Sequence, residues 1–214
     1  MKKIKELFAQ RIFKIFVWVI LVLAGLFIVF IIIRTFHYFD VQKTNNQVNI
    51  IHGTKLSLDS VMGTNLPPLP GLEADKTIQG IDANDNGIRD DVELAIFTEY
   101  PNSAKTRAVL LQYALVLQMM TIPESLVNEE IATSVMQEKS RAYICIGSIL
   151  IRDEDNEKIM NKYFEDSDNL RSYVGNKQLN TEDRLKNDKD FYEKVRSYSD
   201  VEQICDIDYS KLPN

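Results

Sequence analysis

Histidine is scarce in this chain of 214 residues, which contains only two. Both of them, His37 and His52, precede the region of helical periodicity, so they are poorly placed to act as a base beside a nucleophile in a folded domain. The sequence also lacks the G-x-S-x-G, H-E-x-x-H and phosphate-loop motifs. No spaced pair of carboxylates stands out from the many acidic residues. These absences disfavour an enzyme.

Basic residues are scarce after residue 34. The first 34 residues contain six of the 25 basic residues and one of the 31 acidic residues, which leaves 19 basic and 30 acidic residues and a formal charge of −11 for the rest. Such an acidic surface would be repelled by the phosphates of nucleic acids. We therefore expect no nucleic acid partner.

A long apolar run is present near the N-terminus. Ile15–Ile33 contains 19 residues without a charge, and as a helix it would reach roughly 28 Å, close to the thickness of the hydrocarbon core of a bilayer. A buried core helix is the alternative, but this run is apolar on every face. The run is also longer than the apolar region of a typical cleaved signal peptide and does not end in a small-x-small cleavage site. We therefore expect an uncleaved transmembrane signal anchor at residues 15–34.

The charges that flank the run predict its orientation. Five basic residues precede it, whereas only Arg34 follows it closely. The positive-inside rule then assigns residues 1–14 to a cytoplasmic tail and the chain after Arg34 to the outside. The expected location is the inner (cytoplasmic) membrane, crossed once, with the domain in the periplasm or outside.

Two regions are expected beyond the anchor. Residues 35–77 show no sustained period and include the proline-rich segment TNLPPLPGL, which indicates an extended linker. Residues 78–214 are expected to form a helical domain, with helical periodicity from Asp90 onward. The candidate N-caps are Ser103, Thr121 and either Asn180 or Thr181. The expected fold class is all-α: a transmembrane helix, an extended linker, a calcium-binding loop and a small bundle of four to six helices.

The segment GIDANDNGIRDDVE (80–93) concentrates side-chain oxygen atoms. With Asp82 as position 1, it matches the calcium-loop pattern D-x-[DN]-x-[DN]-G-x5-E at every fixed position of residues 82–93. Alternate side chains converge as such a loop wraps a cation, and a glycine permits the sharp bend at position 6. Hard oxygen donors select Ca²⁺ over zinc or copper. The predicted ligands are Asp82, Asn84, Asn86, the carbonyl of Ile88, Asp90 and Glu93.

A simpler interpretation of this segment stays open. Asn-Asp-Asn-Gly also forms ordinary Asx-rich turns, and the acidic residues at 90 and 91 suit the N-terminus of a helix. A single loop with two amide ligands should bind calcium weakly, with a dissociation constant of roughly 10⁻⁴–10⁻³ M.

The loop resembles the Asp- and Asn-rich calcium loops of thrombospondin type 3 repeats, dockerins and EF-hands. Together with the preceding LPPLPG and the following LLQYALVLQ, it also resembles a group of exported, membrane-anchored bacterial proteins. Two features depart from an EF-hand: the entering helix is missing, and Arg89 occupies position 8, where an apolar residue is expected. The resemblance implies a loop followed by an exiting helix, not a paired sensor.

The two cysteines, Cys145 and Cys205, both lie on the outer side of the predicted anchor. Oxidising compartments favour disulfides, so we expect these cysteines to be bonded to each other, although two separate buried thiols are the alternative.

The sequence is most consistent with a membrane-anchored extracytoplasmic protein. Its calcium-stabilised domain would have a structural or protein-interaction role, with an envelope protein as its partner. Two alternatives are a hydrolase of envelope polymers with an unrecognised carboxylate pair and an accessory subunit of a membrane complex.

Overall fold

The computed structural model describes residues 2–199 and 204–213. Within them the fold is all-helical, as predicted, and no strand occurs. In this described part of the chain, two short 3-10 helices, Gly71–Asp75 and Tyr209–Lys211, accompany eight α-helices. The α-helices are α1 (Lys2–Gly53), α2 (Leu58–Met62), α3 (Asp90–Glu99), α4 (Ala104–Met119), α5 (Pro123–Val127), α6 (Glu129–Ser148), α7 (Glu157–Gln178) and α8 (Glu182–Tyr192). Six of them, α3–α8, begin at or after Asp90, in agreement with the expected bundle of four to six helices.

The chain divides into two compact units, residues 1–46 and 47–214. The first unit consists of the N-terminal part of α1, and Met1 of the predicted cytoplasmic tail lies outside the described residues. By length and composition α1 is able to cross a membrane, and none of its apolar window is buried. A membrane anchor and a signal sequence both have these properties.

The prediction of an extended linker at residues 35–77 was wrong for much of its length. Residues 35–53 continue α1, and α2 follows after four residues. No proline or glycine interrupts residues 35–52, and Val48 and Ile51, three residues apart, pack on the core of the second unit. Tertiary contact therefore supports a helix that the polar composition concealed. Residues 66–70, which include three prolines, form no helix.

Helix α4 is the centre of the second unit. Of its 16 residues, 13 are buried, and it packs against α2, α3, α6 and α7. Two predicted N-caps are present, since the side chain of Ser103 accepts a hydrogen bond from the amide of Thr106 and that of Thr181 accepts one from the amide of Arg184. Each cap satisfies an amide that the helix itself leaves without a partner. The predicted cap at Thr121 was wrong, because α5 begins after Ile122 and has no side-chain cap.

The predicted disulfide between Cys145 and Cys205 is confirmed, with the two Cα atoms 5.2 Å apart. It joins α6 to the C-terminal segment. Asp206, the next residue, accepts hydrogen bonds from Arg141 Nη2 at 2.9 Å and from the amide of Leu56 at 3.0 Å. The C-terminal segment is therefore held to the core by a covalent bond and by charged contacts.

Candidate metal site

The loop at residues 82–87 is shaped by the carboxylate of Asp82. Its Oδ1 accepts a hydrogen bond from the amide of Asn86 at 3.1 Å, and its Oδ2 accepts one from the amide of Gly87 at 2.8 Å. Gly87 has φ +82°, and a Cβ there would lie 2.7 Å from Cδ1 of Leu115 on α4. The glycine of the calcium-loop pattern is therefore required both by the backbone turn and by the close approach to α4.

The first turn of α3 faces the loop. Asp90 and Glu93 are almost completely buried, with 0% and 1% of their surface exposed. Asp90 Oδ1 accepts a hydrogen bond from the amide of Ala83 at 2.9 Å. Glu93 Oε1 accepts one from Asn86 Nδ2 at 2.9 Å, and its Oε2 accepts one from Asn84 Nδ2 at 3.1 Å. Hydrogen bonds thus connect the loop side chains with the first turn of α3.

The remaining predicted ligand is the backbone carbonyl of Ile88, a residue that also belongs to the hydrophobic core. The Ile88 side chain is fully buried in the core, and its amide donates a hydrogen bond to Asn86 Oδ1 at 2.8 Å. The loop is therefore anchored to the core at position 7.

Two buried acceptors in this site have no hydrogen-bond partner within the described part of the chain. They are Oδ2 of Asp90 and Oδ1 of Asn84, at positions 9 and 3 of the calcium-loop pattern. A buried acceptor without a partner destabilises a fold, and such atoms are rare in proteins.

The carboxyl groups of the site are destabilised in their charged form. Burial raises the pKa of Asp90, although the amide of Ala83 opposes this, and the charges of Asp82 and Asp91 raise it further. Burial also raises the pKa of Glu93, against the hydrogen bonds from Asn84 and Asn86 and with the charges of Asp90 and Asp82. The site thus concentrates negative charge in a buried place, and a bound proton or a cation would relieve it.

The described residues contain no group of three or more His, Cys, Asp or Glu side chains arranged to hold a metal ion. In the loop the amide NH₂ groups of Asn84 and Asn86 point at Glu93 and compensate its charge. A cation would instead require the amide oxygens, so the loop is closed here by hydrogen bonds between amides and a carboxylate.

Arg89 has a structural role that the sequence pattern did not reveal. It is fully buried and donates from Nη1 to the carbonyl of Gln178 at 3.1 Å and from Nη2 to that of Lys177 at 2.6 Å. Its Nε also pairs with Asp91 at 2.5 Å. The only indication of this role in the sequence was a basic residue at position 8 of the loop pattern, where an apolar residue is expected. Arg89 caps the C-terminal end of α7 and attaches the loop to it.

A polar cleft of about 650 Å³ lies on the open side of the loop. Asn84, Asp85 and Asn86 line it, together with Lys55 and Asn65 from the preceding segments. Asn65 also accepts a hydrogen bond at its carbonyl from Asn84 Nδ2 at 2.8 Å. The cleft gives solvent and small ions a route to the loop.

No protein family matches this chain, and neither a curated protein nor a solved structure shows significant similarity to it.

Proposed function

We propose that this chain is a membrane-anchored protein whose extracytoplasmic helical domain is stabilised by one calcium ion in the loop of residues 82–93. The domain would have a structural or protein-interaction role at the cell envelope.

The observation that carries the calcium part of this proposal is the pair of buried acceptors without a partner, Asp90 Oδ2 and Asn84 Oδ1. Both belong to residues that the pattern assigns as ligands. A hard divalent cation would satisfy both atoms and offset the repulsion among Asp82, Asp90 and Glu93.

The donor set fits calcium. The residues that would hold the ion are Asp82, Asn84, Asn86, the carbonyl of Ile88, Asp90 and Glu93, all of which offer oxygen atoms. Calcium would supply charge and coordination only. The chain itself supplies the attachment, because Ile88 lies in the core and Arg89 holds the end of α7. An ion here would therefore stabilise the junction of the loop, α3 and α7.

The anchor part of the proposal is supported by the apolar stretch of α1 and by the basic residues before it. The acidic domain would then lie outside the cytoplasm, where disulfides persist. A reporter active only outside the cytoplasm should be active when fused to the C-terminus, and activity of a cytoplasm-specific reporter there would contradict this orientation.

The calcium proposal is tested by thermal unfolding of the full chain in lipid nanodiscs. Calcium is first removed with a chelator and then added over a range of about 10 μM to 10 mM, which brackets the affinity of extracellular modules. A ligand that binds only the folded state raises the melting temperature as its concentration passes the dissociation constant. Magnesium, which demands a stricter geometry, should raise it less.

Two variants sharpen this test. Asp90→Asn keeps an oxygen for the amide of Ala83 but removes the charge, so the calcium-induced rise should be largely lost. Asp85→Asn removes the same charge from an exposed residue at a position that is not a predicted ligand, so the rise should remain. No rise in the wild type at millimolar calcium, or an equal rise in Asp90→Asn, would contradict the proposal. The segment would then be a turn followed by a helix cap.

A further inference from the structure

A second cavity lies away from the loop. It is a groove of about 680 Å³ among α4, α6, α7 and α8, and no residue of the calcium loop lines it. Its walls are largely apolar and aromatic, with Tyr113 from α4, Tyr143 from α6 and Tyr192 from α8. A concave, mostly apolar site with a few polar groups is the usual form of a small-molecule site.

Tyr113 gives this groove a polar group that the fold does not use. Its side chain lines the groove and only 8% of its surface is exposed. No hydrogen bond within the described part of the chain uses its hydroxyl, and this oxygen is not among the fully buried polar atoms that lack a partner, so it is open to the groove. Burial raises the pKa of Tyr113, so the group stays protonated and able to donate at neutral pH.

Two cations lie on the groove wall. The Lys139 ammonium lies 4.8 Å from the centre of the Tyr192 ring and donates a hydrogen bond to its hydroxyl. The Arg171 guanidinium lies 3.9 Å from the centre of the Tyr143 ring and donates from Nε to the carbonyl of Ser167 at 3.1 Å. Stacking on aromatic rings holds both cations in place and leaves some of their N–H groups available.

Carboxylates only partly neutralise these cations. Asp168 pairs with Arg171, whose side chain is only 13% exposed, but 69% of the Asp168 side chain is exposed, so solvent screens its carboxylate and weakens the pair. Asp188 faces Lys139 from α8 without lining the groove, and burial raises its pKa. The lining therefore contains two cations and one exposed carboxylate, within a region of the chain that is otherwise acidic.

We propose that this groove binds a small amphipathic anion. The apolar body of the ligand would lie against Met136, Tyr143 and Ile144, and its acidic head group would accept hydrogen bonds from Tyr113, Lys139 and Arg171. The wall supplies more donors than acceptors, so a carboxylate or a phosphate head is favoured over an amine. The groove and the calcium loop share no residue, so either proposal can fail without the other.

The test is equilibrium dialysis of four probes against the full chain in lipid nanodiscs, with empty nanodiscs as the blank. The probes are 2-naphthoate, 2-naphthyl phosphate, the neutral 2-naphthamide and inorganic phosphate. The two amphipathic anions should bind once per chain. The amide should bind at least about tenfold more weakly, because it lacks the charge that Lys139 and Arg171 would meet. Inorganic phosphate lacks the apolar body and should also bind weakly. The tighter of the two anions identifies the head group.

Variants of two groove residues should weaken binding of the tighter anion. Lys139→Met removes a cation and should weaken it about tenfold. Tyr113→Phe removes only a hydroxyl that the fold does not use, so it should weaken binding about fivefold without lowering the melting temperature.

Each variant has a matched control. Lys186→Met removes an exposed cation on α8 and should leave the affinity unchanged. Tyr173→Phe removes a hydroxyl that donates to the carbonyl of Ala95 at 2.9 Å, so it should lower the melting temperature and leave the affinity unchanged. Absence of binding by both anions at millimolar concentration would overturn the proposal. Equal binding of the neutral amide, or unchanged affinity in Lys139→Met and Tyr113→Phe, would also overturn it.

Discussion

Two apolar helical stretches in this chain have opposite environments. Residues 15–33 of α1 form an uninterrupted apolar run, and none of the apolar window of this helix is buried. Helix α4 is also rich in leucine, valine and alanine, yet 13 of its 16 residues are buried. Apolar content alone therefore does not distinguish a core helix from a candidate membrane span.

The two helices differ in their polar residues. Helix α4 contains a few buried polar side chains, and each of them has specific partners outside the helix. Arg107 donates to the carbonyls of Val61, Tyr100 and Pro101. Gln112 donates to the carbonyl of Ile204 and accepts from the amide of Asp206, both at 2.9 Å. Such contacts fix the orientation of α4, because a buried polar group without a partner is costly. Within the span, Trp18 is the only residue whose side chain can donate a hydrogen bond.

The loop at residues 82–87 does not follow the pattern seen in α4, where buried polar side chains have partners. It packs against α4 through Gly87 and Leu115, yet it retains two buried acceptors without partners in the described part of the chain. A well-partnered buried polar group positions an element, whereas a poorly partnered one is a candidate for ligand binding.

The comparison predicts that loss of the disulfide causes the largest decrease in stability, and that this decrease is confined to the second unit. A cross-link over a sequence separation of 60 residues should stabilise the folded state by about 4 kcal/mol in the chain-entropy model. Reduction should therefore lower the free energy of unfolding by about that amount, measured by urea titration and circular dichroism. The single tryptophan, Trp18, lies in the span, so its fluorescence should not change.

The control for this experiment is the double variant Cys145→Ala/Cys205→Ala, whose stability should not respond to the reductant. Unchanged stability of the wild type on reduction would contradict the prediction, since the charged contacts of Asp206 would then suffice to hold the C-terminal segment.

A matched pair of leucine-to-alanine substitutions compares α4 with the apolar span of α1. Leu110 on α4 is fully buried, so Leu110→Ala should lower the free energy of unfolding by about 3 kcal/mol. Leu23 in the span is 59% exposed and packs on no core, so Leu23→Ala should leave the unfolding of the domain unchanged. Urea unfolding of both variants in nanodiscs measures the difference. A similar loss in both would show that the span contributes to the domain core.

The smallest expected effect is on the pH dependence of folding stability in the absence of calcium. The pKa values of Asp90 and Glu93 are raised in the folded state, so this state binds protons more tightly than the unfolded chain. Their contribution to stability is present below the ordinary carboxyl pKa values of 3.8 and 4.5 and is lost as pH rises through the folded-state values. Without calcium, Asp90→Asn should therefore be more stable than the wild type near pH 7, by on the order of 1 kcal/mol.

This advantage should shrink as pH falls and disappear below about pH 3, where Asp90 is protonated in both states. It should reverse at millimolar calcium, which only the wild type should bind well. Comparison with the wild type at each pH is needed because the carboxyl of Glu138 titrates in the opposite sense. Its pKa is lowered by His52, Lys55 and Arg141 despite its burial. A difference that does not depend on pH would contradict the prediction.

Much of the fold was predictable because local spacing reports on local structure. The helical periodicity predicted a helical bundle, Ser103 caps α4 as expected, and Thr181, one of two candidates, caps α8. The error at residues 35–53 has the opposite cause. Their amides and polar side chains show no clear period, and the helix is supported by contacts of Val48 and Ile51 with distant parts of the chain.

For the candidate site, the sequence predicted which residues converge, but not their interactions. Hydrogen bonds join Asn84 and Asn86 to Glu93, so three of the predicted ligands lie close together. The direction of the two amide groups, toward Glu93, follows from their surroundings and has no counterpart in the pattern. The importance of Tyr113 was hidden for a similar reason, since it appears in the sequence as one more member of an apolar helical stripe.

The sequence by itself determined the helical class, the apolar span, the position of the oxygen-rich loop and, through two cysteines, the covalent link. The first three depend on residue type and short-range spacing, which act before the chain folds, and the fourth was predictable because the chain has only two cysteines. Only the tertiary structure decided that Arg89 caps α7, with partners 88–91 residues away, and that α4, α6, α7 and α8 enclose a groove. The physical reason is that a buried charge or hydroxyl acquires its role from the atoms that packing brings around it, and those atoms come from remote parts of the chain.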